Sequence, residues 1–374
     1  MIKFFNIYRQ DYKSLNKIFK DIKRTIKNSN FIKGKPVLDF ENKFSKFCNS
    51  NHSISCNSGS DALFLSLKSL NLPKNSEVIL PAMTYCATVF SVLRANLIPV
   101  LADVKKNRST ICPLEIKKKI SKNTKAIILV HLYGDCCDIH NIKKIVKDKK
   151  IIIIEDAAQA HGARDCSFCE KNLTQCCNKG NMVGSIGDFG CFSFYPGKNL
   201  GGYGDGGMIT CKNKNFKNKI AMLANLGGIK KFEHKYIGYN SRLDTIQANI
   251  LNVKLNDLLN NNLKRKKIAD YYNQNINNKF ITKLNYYPGC AYHQYVIVTK
   301  KINTLISLLQ KNKIEFGRHY PEPIHKIKAV SDIFKNEKYP NAERLAKYGI
   351  SIPIDPNLTK KQIRYISEVL NKLR

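Results

Sequence analysis

No run of apolar residues in this chain is long enough to span a bilayer, which leaves no candidate for a membrane helix. Residues 1–30 are polar and basic and lack the apolar core of a signal peptide, so no secretion leader is expected. There is no internal repeat and no low-complexity linker; at 374 residues the chain can bury a full core, and we expect two domains that share one site. Acidic residues are scarce: 28 Asp and Glu face 63 Lys and Arg, a formal net charge of +35. Such a balance would suit nucleic acid or an acidic surface. The basic residues are spread along the whole chain, however, and Asn and Ile are abundant too, so compositional drift explains the charge better than a binding patch. Nucleic acid and membrane are therefore not expected as partners, although small anions would be drawn in by the field. The 13 cysteines, an odd number in a large chain without a leader, read as free thiols in a reducing cytoplasm.

What the chain does have is one stretch, Gly187 to Gly207, in which short apolar runs alternate with glycines around a single lysine, Lys198. Cys191 to Phe194 is short, apolar and aromatic, which predicts a buried strand ending at Tyr195. Lys198 then falls just past a strand end, on a tight turn between Tyr195-Pro196-Gly197 and Asn199-Leu200-Gly201-Gly202. A lysine drawn partly out of water loses preference for its charged form and becomes a usable nucleophile near neutral pH. A solvated loop lysine is the ordinary alternative, but solvated loops rarely carry Phe-Ser-Phe-Tyr in front and a cluster of glycines behind. Lys198 reads as a Schiff-base lysine.

Along the chain, Tyr12 to Ile26 and Val37 to Phe47 have helical spacing, the second with Phe40, Phe44 and Phe47 on one face. Asn57-Ser58-Gly59-Ser60-Asp61 opens the helical run Phe64 to Leu70; small residues there serve equally as an anion cradle or as a plain N-cap. Val78 to Pro81, Pro99 to Ala102, 125–133 and 150–155 are apolar strands, with helices up to Ala95 and from Ile139 to Lys147 between them. Fully apolar strands alternating with amphipathic helices predict an α/β fold with a mostly parallel sheet, whose functional groups gather beyond the strand ends. Tyr85 follows one such end, as a stacking aromatic or as core.

Glu155 and Asp156 close the apolar strand Ile151 to Ile154, and one of them should meet a cation because an unpaired buried carboxylate is costly. A cofactor with a protonated ring nitrogen would satisfy Asp156; a cap on a following helix would do so too. The thiols from Cys166 to Cys177 could bind a metal or form a loop of free cysteines; no histidine completes a ligand set at familiar spacing, and no metal is expected. Gly206 to Thr210 is a further strand, and Phe216 to Ala224, Thr245 to Leu259 and Leu263 to Gln274 are helical. Tyr292 to Val298 and Phe316 read as strands and Asn303 to Asn312 and Lys360 to Leu373 as helices, giving a smaller α+β domain over 260–374 behind a large domain over 1–259.

Taken together, Asn57 to Leu63, Pro81 to Tyr85, Glu155 to Gly162, Ser193 to Gly201, Gly204 to Gly207, Gly238-Tyr239-Asn240 and His319-Tyr320-Pro321 resemble the nucleotide-sugar aminotransferases of the DegT/StrS type, in family order over nearly the whole chain. The resemblance implies the type I fold of pyridoxal 5'-phosphate (PLP) enzymes. It implies that Lys198 carries the cofactor, that Asp156 pairs with its ring nitrogen, that Gln159 lies near the ring hydroxyl and that Tyr85 stacks on the ring. Ser193, Gly59 and Ser60 match phosphate ligands, and Asn240 a residue reaching the neighbouring subunit's cofactor, hence a homodimer with shared sites. The resemblance further implies glutamate as the donor and a nucleotide-linked keto sugar as the acceptor, in cell-surface polysaccharide or glycoconjugate biosynthesis. The Tyr-Pro-Gly-Lys-Asn-Leu-Gly and Gly-Asp-Gly-Gly pattern favours a dTDP-3-keto-6-deoxyhexose over a UDP-linked 4-keto sugar. Family dehydratases carry histidine in place of the lysine, so Lys198 argues against that reading; a regulatory, DNA-binding member would need a helix-turn-helix pattern that is not present. Two departures touch the substrate side: the long Cys166 to Asn178 loop, and Lys326-Ile327-Lys328 where a glutamine is common.

Overall fold

The protein is described by a computed structural model covering residues 1–166, 180–230 and 232–374, so most of the cysteine loop, including Cys169, Cys176 and Cys177, lies outside the described residues. Its centre is a seven-stranded sheet built from β1 (His52–Cys56), β2 (Glu77–Pro81), β3 (Ile98–Ala102), β4 (Thr124–Val130), β5 (Ile152–Asp156), β6 (Phe189–Ser193) and β7 (Gly207–Cys211). In space the order is β1-β7-β6-β5-β4-β2-β3, with parallel pairing from β3 through to β6 and antiparallel pairing of β7 with β6 and β1. The isoleucine runs have this cause: Ile127, Ile128, Ile153 and Ile154 are buried because helices cover both faces of the sheet. Ile128 and Ile154 pack into one core cluster, Ile127 and Ile153 into another.

Helix Lys35–Cys48 buries Phe40 and Phe44 as its spacing predicts, with Phe47 partly buried beside them. Phe44 meets Phe192 edge-on at 4.9 Å between ring centres, and Phe40 meets Phe194 at 5.2 Å. Such pairs add stability beyond the area they bury. They anchor β6 and the residue after it, from which the Lys198 turn departs.

Several boundaries differ from the sequence reading. The strand before Lys198 is Phe189–Ser193, and Phe194 lies just past it, its N–H donating to Gly206 O at 2.7 Å. β4 ends at Val130, because Leu132–Gly134 forms a single 3-10 turn with Tyr133 at φ 62°. The expected helix Thr245 to Leu259 ends earlier, at Lys254; a 3-10 turn Leu255–Asp257 follows, and the helix expected from Leu263 to Gln274 begins sooner, running Leu258–Asn275 into the C-terminal part. After an exposed hairpin of β8 (Gly228–Lys230) and β9 (Glu233–His234), the remaining strands are β10 (Thr282–Lys283), β11 (Tyr295–Val298) and β12 (Gly349–Ile352), an antiparallel sheet in that order. Phe316 is not in a strand; the expectation there is corrected to a single bridge between Gly317 and Ser351 on β12. Helices Ile302–Lys311 and Lys360–Asn371 cover this small sheet, the latter opened by a capping box of Thr359 and Gln362. Among the described residues, no helix is long and apolar enough to cross a membrane.

Candidate active site

The carboxyl ends of β4, β5 and β6, the start of helix Gly59–Leu70 and the C-terminal part enclose a cavity of about 590 Å³, a size suited to a cofactor with a substrate. Gly59, Ser60, Tyr85, Asp156, Gln159, Ser193 and Lys198 all line it. Of the eight residues singled out from the sequence, Asn240 alone stands apart: it is exposed, bridged to Asn225, and absent from this chain's cavity wall.

Lys198 sits on the turn its glycines permit, its N–H donating to Tyr195 O at 2.9 Å. Desolvation by the cavity walls lowers its pKa to about 8, against the opposing attraction of Asp156. The adjacent residue is fixed from three directions. Asn199 Nδ2 donates to Asn262 Oδ1 and to Ala291 O, both at 2.9 Å, and its Oδ1 lies 3.2 Å from His293 Nδ1. His161, packed against Phe192 and Phe194, is pushed down to about 3, and His319 to about 4, in each case by burial first and Lys198 second. The lysine is thus surrounded by neutral imidazoles.

The two acids of β5 part company. Glu155 accepts from the backbone N–H groups of Gly184 (2.8 Å), Ile186 (2.7 Å) and Gly187 (2.7 Å), with His131 Nε2 at 3.1 Å. His131 Nδ1 accepts from Cys137 N at 3.0 Å, which leaves Nε2 to donate to the carboxylate. Asp156 faces the cavity. It accepts from Thr88 Oγ1 at 3.0 Å and from Ala158 N at 3.2 Å, and burial holds its pKa above the usual carboxylate range. A helix cap it is not, because a turn rather than a helix follows.

Gln159 bridges the site, accepting from Tyr133 N at 2.8 Å and donating to Tyr320 Oη at 2.9 Å. Tyr85 is half exposed, its ring 5.3 Å from that of Tyr320 and tilted by 35°. Ser58 is the N-cap of helix Gly59–Leu70, its Oγ accepting from Asp61 N at 3.1 Å, so the Gly59 and Ser60 amides are left open for an anion. Gly59 lies so close to Ser193 that a Cβ there would come within 2.6 Å of the serine Cβ. Asp61, which would oppose an anion, is neutralised by Arg94 at 3.1 Å.

Other residues of the cavity have no local sequence signal. Phe4 and Phe5 come from the N-terminal segment, which is strapped to the C-terminal part through Phe4 N to Glu315 (2.7 Å) and Asn6 N to Asp355 (3.0 Å). Arg265, His293, Gln294 and Ile354 come from beyond residue 260. Lys326-Ile327-Lys328 do not line the cavity: Lys326 pairs with Glu343 at 3.3 Å. Among the described residues no group of histidines, cysteines and acids is arranged to hold a metal ion.

A mostly parallel sheet with a lysine and a buried carboxylate converging beyond its strand ends is the large domain of a type I PLP-dependent enzyme. The sequence matches the DegT/DnrJ/EryC1/StrS aminotransferase family over residues 13–371, and the chain belongs to that family. It is 36% identical to the dTDP-3-amino-3,6-dideoxy-alpha-D-galactopyranose transaminase of Aneurinibacillus thermoaerophilus, over 100% of this chain and 99% of that protein. It is 32% identical to the dTDP-3-amino-3,4,6-trideoxy-alpha-D-glucose transaminase of Streptomyces venezuelae, over 93% and 90%. Among solved structures, S. venezuelae DesV in complex with a ketimine intermediate superposes with a TM-score of 0.93 at 30% identity, over 99% of this chain and 98% of that one.

Proposed function

We propose that the protein transfers the amino group of glutamate to the keto carbon of a nucleotide-linked deoxy sugar, a dTDP-3-keto-6-deoxyhexose, with PLP bound at Lys198. The observation that carries this reading is the pairing of a lysine lowered to about pKa 8 with a buried carboxylate in one cavity. The cavity fits PLP: Lys198 Nζ would hold it, Asp156 would face its ring nitrogen, Gln159 its ring hydroxyl and Tyr85 its ring. The open amides at Gly59 and Ser60, with Ser193, would hold its phosphate, where a Cβ on residue 59 would fill the cradle. When bound, the cofactor supplies an electron sink for the carbanion left as the amino-bearing carbon loses its proton. Lys198, once displaced by the donor, can take and return that proton near neutral pH. The buried Asp156 keeps a positive charge opposite it without competition from water.

Two of the similar proteins are named for dTDP-linked 3-amino sugars, which supports the 3-keto acceptor. A UDP-N-acetyl-3-dehydro-alpha-D-glucosamine 3-aminotransferase from Acidithiobacillus ferrooxidans, 33% identical, keeps UDP-linked sugars in the same experiment. A second copy of the chain would complete the site through Asn240; Phe232 and Ile237, 87% and 94% exposed near it, are apolar surface for that copy to cover. The described cysteines other than Cys166 are unbridged thiols, which suits the cytoplasm, where such sugars are made.

The test is a panel of dTDP- and UDP-linked 3-keto and 4-keto sugars assayed with glutamate. The dTDP-3-keto-6-deoxy sugar should have the highest kcat/KM, and the visible absorbance of the loaded enzyme should bleach with glutamate alone. Turnover of none of the panel, or turnover surviving Lys198→Ala, would overturn the reading.

A further inference from the structure

Helix Gly59–Leu70 serves two directions at its start. Gly59 and Ser60 line this chain's own cavity, while the next residue, Asp61, gives its carboxylate to the segment that carries Asn240. Asp61 Oδ2 accepts from Ser241 Oγ at 2.8 Å, and Oδ1 accepts from Arg94 Nη1 at 3.1 Å. Hydrogen bonds to an ionised acceptor are the strong kind, and Ser241 is fully buried. One turn along the helix, Phe64 meets the Tyr239 ring edge-on at 4.8 Å. The Arg94 guanidinium lies 4.3 Å from the centre of that same Phe64 ring, so Arg94 ties the two contact points together.

The fastened residues are 239 and 241, and the one between them is exposed. Tyr239 N donates to Leu223 O at 2.7 Å, Ser241 N donates to Ala224 O at 2.9 Å, and Asn240 bridges to Asn225, which lays the three residues along the end of helix Lys214–Ala224. In such an extended stretch successive side chains point to opposite sides. Holding 239 and 241 against the helix therefore turns Asn240 outward, away from a cavity in its own chain that it does not line. We propose that Asp61 and Ser241 are positioning residues that act in trans: their clasp sets Asn240 for the cofactor phosphate of the partner subunit. This deepens the shared-site reading, on which it rests, and makes one helix start serve two sites. The Ser241 hydroxyl also accepts from Asn57 N at 3.2 Å, a longer bond beside its own cradle, so its loss touches both sites but the partner's more.

The experiment uses mixed dimers of the full chain, isolated through a different affinity tag on each subunit. One subunit carries Lys198→Ala, so only the other site gives the visible absorbance of lysine-bound cofactor. In the trans arrangement Ser241→Ala sits on the Lys198→Ala subunit; in the cis arrangement it sits on the subunit with the intact lysine. Titration with PLP should give a dissociation constant raised about 10-fold in the trans dimer, the scale of a weakened hydrogen bond to a charged group, and less than about 3-fold in the cis dimer. Asp61→Ala should repeat the pattern, and Asp61→Asn, whose amide can still meet the serine, should show it more weakly. Where the Lys198→Ala subunit also carries Asn240→Ala, adding Ser241→Ala should change nothing further, because the two lesions remove one contact. If Ser241→Ala does not fold, the two Asp61 variants decide. Unchanged affinity in both dimers, a loss as large in cis as in trans, or a trans loss that persists without Asn240 would overturn the assignment, leaving the clasp a support of its own subunit's fold. Wild-type protein that loads cofactor as a monomer, read by light scattering, would instead sink the shared-site reading, and the clasp's role with it.

Discussion

The neutral fraction of Lys198 is the most direct physical consequence of the site. A lysine at about pKa 8 is about 9% neutral at pH 7, whereas one at the ordinary 10.5 is about 0.03% neutral, a ratio of roughly 300 in available nucleophile. The apoprotein exposed briefly to an amine-acylating reagent over a pH series should therefore label Lys198 with a midpoint near 8, read by mass spectrometry of the peptide that carries it. The exposed lysines of the same digest serve as reference. The sign of the Asp156 contribution can be tested in the same tube. Its negative charge favours the ammonium, so Asp156→Asn should move the midpoint down, by up to about one unit for an opposite charge that makes no direct ion pair. A carboxylate merely packed nearby and already neutral would leave the midpoint in place. Labelling of Lys198 that tracks the exposed lysines, or a midpoint that rises in Asp156→Asn, would refute the desolvation argument.

Asp156→Asn should also keep the cofactor while losing at least about 10²-fold in turnover, the scale of one preorganised electrostatic group; unchanged turnover would leave Asp156 a packing residue. Gly59→Ala must push the Ser193 side chain away from the new Cβ at 2.6 Å, costing about 1–3 kcal/mol of stability by overpacking. It should weaken cofactor affinity as well, and affinity equal to wild type would exclude Gly59 from the phosphate site. Glu155→Gln leaves donors facing donors and should cost about 2–4 kcal/mol in urea unfolding at pH 7. Burial opposes ionisation of Glu155, but His131 and the loop amides prevail and hold its pKa below 4.5, so its contribution is complete above that pH and the gap to the variant should close as pH falls through the lowered value. Mixing inactive Lys198→Ala with Asn240→Asp should restore part of the activity through one intact site per mixed dimer; a dead mixture despite subunit exchange would place Asn240 in its own chain's site or outside any.

The central sheet was legible because its strands are buried on both faces and therefore read as continuous isoleucine runs, as at β4 and β5. The strand β12, Gly-Ile-Ser-Ile, was not: four residues following helix Pro340–Tyr348 directly, with nothing local to separate strand from helix end. The short strand expected at Phe316 is only the bridge Gly317–Ser351, since an isolated apolar residue cannot show a period, whereas the strand that does pair with β12, Tyr295–Val298, lies within the expected Tyr292 to Val298. In the site, the glycines around Lys198 and Gly59 were visible because close backbone approach has few other solutions. Tyr133 was hidden inside what read as the end of a strand, though its φ of 62° lets its amide reach Gln159. Phe4, Phe5 and Arg265 reach the cavity only through contacts made when the chain folds; the Phe4–Glu315 bond joins residues 311 positions apart. No pattern within a window of sequence carries that information.

The adjacent acids show how the local and the long-range parts of the site depend on each other. Side chains alternate across a strand, so neighbours at the end of β5 must point to opposite faces. Glu155 therefore cannot share the cavity with Asp156, and its charge is used on the other face to gather three amides from Gly184 to Gly187. Those residues are the entry to β6, which pairs with β5 through Ile154–Phe189, Glu155–Gly190 and Asp156–Cys191. Fixing the entry fixes the register, and a slip of one residue would exchange the faces of Phe192 and Ser193. In the register observed, Phe192 packs against Phe44 in the aromatic cluster, Ser193 lines the cavity beside Gly59, and the chain continues directly into the Lys198 turn. One acid thus sets the strand that delivers the lysine, and the other faces the lysine across the cavity.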